Sequence, residues 1–167
     1  WDAVKEGGYH VYYDAANEQP AVSGGLEMLA GCAFEVLNSR QHLSSAGPHT
    51  SETVCATIMI GRAYVTRGIL QSLLVPQVEP TPLIGDSLTT KYVLSDAAAC
   101  KASAWMLARL GFAQDAVARR VVAPQHVPGT LNPADSETKW VEYKIWFRDM
   151  RFKANAVDAS VYEPPQP

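Results

Sequence analysis

The sequence predicts an α/β domain built on a five-stranded mixed sheet with helices packed on it. Two observations carry that prediction. Three β-forming runs follow one another over residues 9–38, separated only by turn chemistry. After residue 50 the pattern changes, and the two remaining strand candidates alternate with helical stretches. Hairpin-linked strands followed by strands separated by helices give antiparallel neighbours first and parallel ones afterwards.

Each element has its own signal. "YHVYY" (9–13) is rich in β-formers and ends on Asp14, and "NEQP" breaks it. "SGGLEMLAG" and "CAFEVLN" read as two further strands joined by a tight turn near Ala30-Gly31. "SSAGPHTS" is loop chemistry, with Thr50 or Ser51 as the N-cap of a long helix that opens at Glu52. Val54, Ile58, Val65, Ile69 and Leu73 recur at helical spacing as its core stripe, with Ile60 and Tyr64 off that stripe. The prolines of "VPQVEPTP" stop it. "TPLIGD" is a short apolar strand ending on Asp86. "SLTTKYVLSD" and "KASAWMLARLG" read as two helices, the second closed by Gly111. "ARRVVAPQHV" is the fifth strand and "PGTLNP" a turn. "ADSETKWVEYKIWFRDM" is a final helix with Trp140, Tyr143 or Lys144, and Phe147 on one side. The proline-rich end predicts one domain over 1–152 and an extended tail over 153–167.

The bulk numbers narrow the function. At 167 residues, 47% apolar and 19% charged, the chain fits a single globular domain. No run approaches the roughly 18 apolar residues of a membrane span, so an intracellular protein without membrane contact is expected. The first residue is Trp1, which suggests a fragment of a longer chain. Cys32, Cys55 and Cys100 lack zinc spacing and read as buried free thiols. A net charge of -3 disfavours unaided, sequence-independent binding to nucleic acid, which rests on Lys and Arg at phosphates.

Four carboxylates hold the chemical interest. Asp14 ends the first strand, Asp86 the fourth, Glu52 opens the long helix and Asp135 opens the last one. Taken singly, each is a turn or cap residue; Asp135 in particular would complement a helix start. Taken together they change meaning. If strands one and four are parallel neighbours, Asp14 and Asp86 meet at one sheet edge, where ligands of open α/β sheets gather. Clustered carboxylates repel one another and need a cation, and hard divalent ions prefer oxygen ligands. Two such ions about 4 Å apart support phosphodiester cleavage.

These stretches resemble the ribonuclease H domain of copia-type LTR retrotransposon polyproteins. The resemblance rests on "YYDA" (12–15), "VSGG" (22–25), "SRQ" (39–41), "TSETVCA" (50–56), "PTPLIGD" (80–86) and "HVPGTLNPADSETK" (126–139), in the family's order over roughly residues 9–140. It implies a ribonuclease H-like fold with helices on both faces of the sheet. It also implies an endonuclease that uses two Mg²⁺ or Mn²⁺ ions to cut the RNA strand of RNA/DNA hybrids. The family's metal-binding acids fall on Asp14, Glu52, Asp86 and Asp135. Asp14 and Asp86 would share the ions, Glu52 would complete one shell and help sense a ribose 2′-OH, and Asp135 would hold the other ion. The order Asp-Glu-Asp-Asp differs from that of integrases of the same superfold, where the helical Glu comes last. His126, nine residues before Asp135, would assist departure of product or proton; its plainer reading is a surface or capping residue. The implied partners are an RNA/DNA hybrid and an attached reverse transcriptase or a larger assembly. Arg40, Arg119 and Arg120 are candidate phosphate contacts beside a plain solvated-face reading.

Four departures from the family pattern stand out. The first motif reads Asp14-Ala15-Ala16-Asn17 instead of Asp-Ala-Asp-Trp. Thr50 replaces a second Glu, Ser87 replaces Asn after the third acid, and Glu137-Thr138-Lys139 replaces Leu-Thr-Lys. None removes a metal ligand; they bear on substrate handling. They also motivate a second reading, a retired ribonuclease H-like domain that serves protein contacts through the last helix, with Trp140 and Trp146, and the tail.

Overall fold

The computed structural model describes residues 8–17, 20–42, 47–96 and 104–154. Strands β1 (His10–Ala16), β2 (Val22–Leu29) and β3 (Cys32–Arg40) form an antiparallel meander. Strands β4 (Thr81–Gly85) and β5 (Val122–His126) continue the sheet in parallel from the other side of β1. The resulting order is β3-β2-β1-β4-β5. Among the described residues the α-helices are α1 (Pro48–Ser72), α2 (Leu88–Ser95), α3 (Ala104–Ala118) and α4 (Tyr143–Lys153). None is long and apolar enough to cross a membrane.

The expected hairpin turn is present. Ala30 and Gly31 both have positive φ, 52° and 80°, the backbone hand that a two-residue hairpin requires. Strand periodicity then sorts the core. Val11 and Tyr13 point to one face and pack with Leu37, Cys55, Met59 and Ile60 beneath α1. Tyr12 points to the other face and joins Leu26, Met28, Ile84 and Val127, with the Phe152 ring of α4 set edge-on against it at 5.8 Å. Helices therefore cover both faces.

Three local expectations are corrected. Helix α1 begins at Pro48, not Glu52, because proline is compatible with the first turn; neither Thr50 nor Ser51 caps it. Its buried face runs through Cys55, Met59, Ala63, Thr66 and Leu70, while Val65, Ile69 and Leu73 of the expected stripe are exposed. Small and flexible side chains let the helix sit close to the sheet: a Cβ on Gly25 would lie 2.4 Å from Sδ of Met59. Hydropathy favoured the branched residues instead. Gly111 does not close α3, which continues to Ala118 and ends where Arg120 adopts a φ of 57°.

The final helix is broken as well. Asp135–Glu137 form one 3-10 turn with Ala134 as its N-cap, so Asp135 is not a capping residue, and α4 starts only at Tyr143. The 3-10 turn and Thr138 lie against β2. A Cβ on Gly24 would sit 2.5 Å from Cγ2 of Thr138, and Thr138 is tied to the sheet, so no helix propagates there. Trp140 is fully exposed and packs against nothing in the core. Strand β1 runs two residues past Asp14. Cys55 is buried and free, whereas Cys32 is exposed. Cys100 and the expected tail from residue 155 onward lie outside the described residues.

Gly85 tests this packing. The buried Tyr13 ring lies across it, with a Cβ there 2.2 Å from Cζ. Gly85→Ala is expected to destabilise the fold by about 1–3 kcal/mol in denaturant unfolding, as overpacking does. An unchanged midpoint would contradict the contact.

Candidate metal centre

Asp14 and Asp86 meet because of strand register. β1 and β4 are parallel neighbours that pair Val11 with Leu83 and Tyr12 with Ile84, so both chains run out at the same edge. Glu52 arrives from the second turn of α1, whose start is moored to that edge. Nε2 of Gln41 donates to Oγ of Ser23 at 2.9 Å and to the Ser51 carbonyl at 3.0 Å. The backbone N–H of Ala15 then donates to Oε1 of Glu52 at 3.1 Å. One carboxylate oxygen from each of Asp14, Glu52 and Asp86 lies within 4.8 Å of the others. Asp14 and Glu52 are buried and Asp86 partly so.

The three carboxyl groups are all shifted upward, and together they could hold a cation. Burial, reinforced by the charges of Asp14 and Asp86, pushes the Glu52 carboxyl up to about 9. Burial also raises Asp14 to about 6, with Asp86 and Asp135 adding to the shift and the Thr138 hydrogen bond and Lys139 opposing it. Asp86 is raised in the same way, by burial first and by Asp135, against its own backbone hydrogen bond and the charges of Lys139 and His126. The second oxygen of Glu52, Oε2, is buried without a hydrogen-bond partner. Three carboxyl groups, one of them with an unpartnered oxygen, fit a hard divalent ion such as Mg²⁺ or Mn²⁺ and offer nothing soft for zinc.

Asp135 stands beside this trio and not within it. Its charge acts on Asp14 and Asp86, but its carboxylate is paired with Lys139. The segment that carries it is held from several sides. Nδ2 of Asn132 donates to the Tyr13 carbonyl at 3.0 Å, and Oδ1 of Asn132 accepts from the N–H of Ala134 at 3.2 Å. Oγ1 of Thr138 donates to Oδ2 of Asp14. Nζ of Lys153, from α4, donates to Oγ of Ser136 at 2.8 Å and pairs with Glu137. A Cβ on Gly129 would lie 2.9 Å from Oδ2 of Asp86, so the loop before this segment passes close over that carboxylate.

The remaining candidates separate. His126 ends β5 opposite Gly85 at the same edge, exposed, with its charge felt at Asp86. Arg40 ends β3 at that edge too and is exposed. Arg119 and Arg120 sit at the opposite edge, before β5, and pair with Asp115 and Glu79 at 2.9 and 3.3 Å. They are placed away from the carboxylates. A cavity of about 610 Å³ between the meander and α1, lined by Glu27, Phe34, Arg62, Thr66 and Ile69 among others, does not include Asp14, Glu52, Asp86 or Asp135. Thr138, Lys139 and Asn132 were not assigned a site role from sequence. Their signal was proximity: Thr138 and Lys139 follow Asp135 at the third and fourth positions.

No family model matches the sequence, and no curated protein sequence does. Solved structures do match. RNase H1 from the halophilic archaeon Halobacterium salinarum NRC-1 superposes with a TM-score of 0.56 at 17% identity, over 78% of this chain and 93% of that one. LC11-RNase H1, solved in complex with an RNA/DNA hybrid and isolated from compost by a metagenomic approach, gives 0.58 at 12% identity, over 78% and 94%. The N-terminal RNase H domain of a Mycobacterium tuberculosis protein gives 0.55 at 15%, over 78% and 91%. The chain has the ribonuclease H-like fold. At these identities the likeness establishes architecture alone, and the chemistry of this ribonuclease H-like domain rests on its own carboxylates.

The Glu52 shift sets a pH dependence. The folded carboxyl titrates near 9 against an ordinary 4.5, so the folded state keeps a proton that the unfolded state releases. Its stability contribution is full below about pH 4.5 and is lost as pH rises towards 9, at up to about 1.4 kcal/mol per pH unit. Without divalent ions, Glu52→Gln should therefore gain stability over the parent at pH 8.5 and match it far more closely at pH 5, in paired melting curves. Parallel curves at both pH values would contradict the assignment.

Proposed function

We propose that this domain is a divalent-metal-dependent endonuclease that cuts the RNA strand of RNA/DNA hybrids. The observation that carries this reading is the convergence of Asp14, Glu52 and Asp86 at the carboxyl ends of adjacent parallel strands. A structural neighbour holding an RNA/DNA hybrid supports the substrate class. Two bound Mg²⁺ or Mn²⁺ ions would supply an activated water and stabilise the departing 3′ oxygen. Asp14 and Asp86 would hold both ions, with Thr138 fixing the rotamer of Asp14. Glu52, oriented by the Ala15 N–H, would complete the first shell and face the ribose 2′-OH that distinguishes RNA from DNA. Asp135 would serve the second ion. His126, exposed at the strand end beside Asp86, would help product or proton leave.

The same motifs support a copia-type retroelement origin, with the domain attached to a reverse transcriptase. The net charge of -3 favours such a partner, because the domain itself offers few cations to grip a hybrid. A second reading, a protein-contact module, is favoured by the fully exposed Trp140 and by the Tyr143 and Trp146 rings stacked at 6.0 Å on an exposed face of α4.

The test is cleavage of a labelled RNA/DNA hybrid with Mg²⁺ and with Mn²⁺. The parent should cut the RNA strand, and Asp86→Asn should lower the rate by at least about a hundredfold while raising metal-free thermal stability, since a repulsive charge is lost. His126→Ala should slow turnover about tenfold or more with metal binding unchanged. Asp86→Asn cleaving as well as the parent would refute the site. No cleavage together with no metal-induced rise in melting temperature would favour the contact module.

A further inference from the structure

Asp135 does not stand open to a cation. Lys139, one helical turn further on, is ion-paired with it while remaining half exposed. The ammonium also faces the rest of the cluster. Its nearest charge is the Asp135 carboxylate, and the Asp14 and Asp86 carboxylates act on it as well. Conversely, Lys139 draws down Asp14, Glu52 and Asp86. The backbone beneath it is pinned. The N–H groups of Thr138 and Lys139 donate to the Asp135 carbonyl at 3.2 and 3.3 Å, and Oγ1 of Thr138 bridges that carbonyl, at 3.1 Å, and Asp14. Only the Lys139 side chain is free to leave.

We propose that Lys139 is the built-in counter-ion of the Asp135 arm, and that a second divalent ion binds at Asp135 only by displacing it. This rests on the two-ion reading above. Ammonium and metal compete for the same carboxylate, and like charges so close exclude each other. The Asp14–Glu52–Asp86 trio has no cation paired directly to it among the described ion pairs, and Oε2 of Glu52 is orphaned. The ions therefore load in order, first at the trio and then at Asp135, and Lys139 sets the concentration at which the second enters. The empty site also gains, because an internal positive charge offsets part of the carboxylate repulsion.

The experiment titrates the full chain with Mn²⁺ at neutral pH, following bound and free ion by the electron paramagnetic resonance of free Mn²⁺. The parent should bind in two steps. Lys139→Met should strengthen the weaker step by at least about tenfold and the tighter step by clearly less. Lys139→Arg should restore parental separation, and Asp135→Asn should abolish the weaker step while keeping the tighter one. A weaker step unchanged in Lys139→Met, or lost from it while the variant remains folded by circular dichroism, overturns the proposal and leaves the nuclease reading intact. A single step unaffected by any of these variants does the same. No Mn²⁺ binding by the parent removes the metal reading itself, and this inference with it.

Discussion

Like-charge repulsion among Asp14, Glu52 and Asp86 is the force the surrounding structure has to contain. Three carboxyl groups within 4.8 Å, two of them buried, would push strands and helix apart if all were ionised and nothing opposed them. The structure opposes them in two ways. Burial first, and the neighbouring carboxylate charges after it, raise Glu52 and Asp14, so both hold their protons to higher pH than usual. The structure also supplies directed donors, the Ala15 N–H to Glu52 and the Thr138 hydroxyl to Asp14. A divalent ion would replace the protons with charge and restore the ionised ligands.

The site needs a rigid floor for this, and the floor comes from close approach. Gly85 admits the Tyr13 ring, Gly25 admits Met59, and Gly24 admits Thr138 and Glu137. Each contact lets a neighbouring element settle nearer the sheet than a Cβ would allow. Helix α4 closes the other face through Phe152 on Tyr12 and fastens the Asp135 segment through Lys153. Packing around the carboxylates thus fixes where Asp135 and Lys139 stand.

Much of this was legible in the sequence. The strand runs, the Ala30-Gly31 turn and the alternation of strands and helices follow from short-range chemistry, and they imply a mixed sheet; the strand order comes from the structure. The meeting of Asp14 and Asp86 followed from the sequence only on the condition that strands one and four pair in parallel, and β1 and β4 do. What failed to show was long-range packing. The core face of α1 could not be read from hydropathy, since Cys55, Ala63 and Thr66 bury where Val65 and Ile69 do not. The break after Glu137 was hidden because contacts with Gly24 and Asp14, more than a hundred residues earlier, override a local helical pattern. The Lys139–Asp135 pair lay in plain view at helical spacing, but only the fold showed that it faces the other carboxylates.

The most direct test of the central claim is a crystal soaked in Mn²⁺ and measured at the manganese absorption edge. The account predicts an anomalous peak between Asp14, Glu52 and Asp86, at coordination distance from all three. A well-occupied soak with no peak among these carboxylates, or with manganese only elsewhere on the surface, would contradict it.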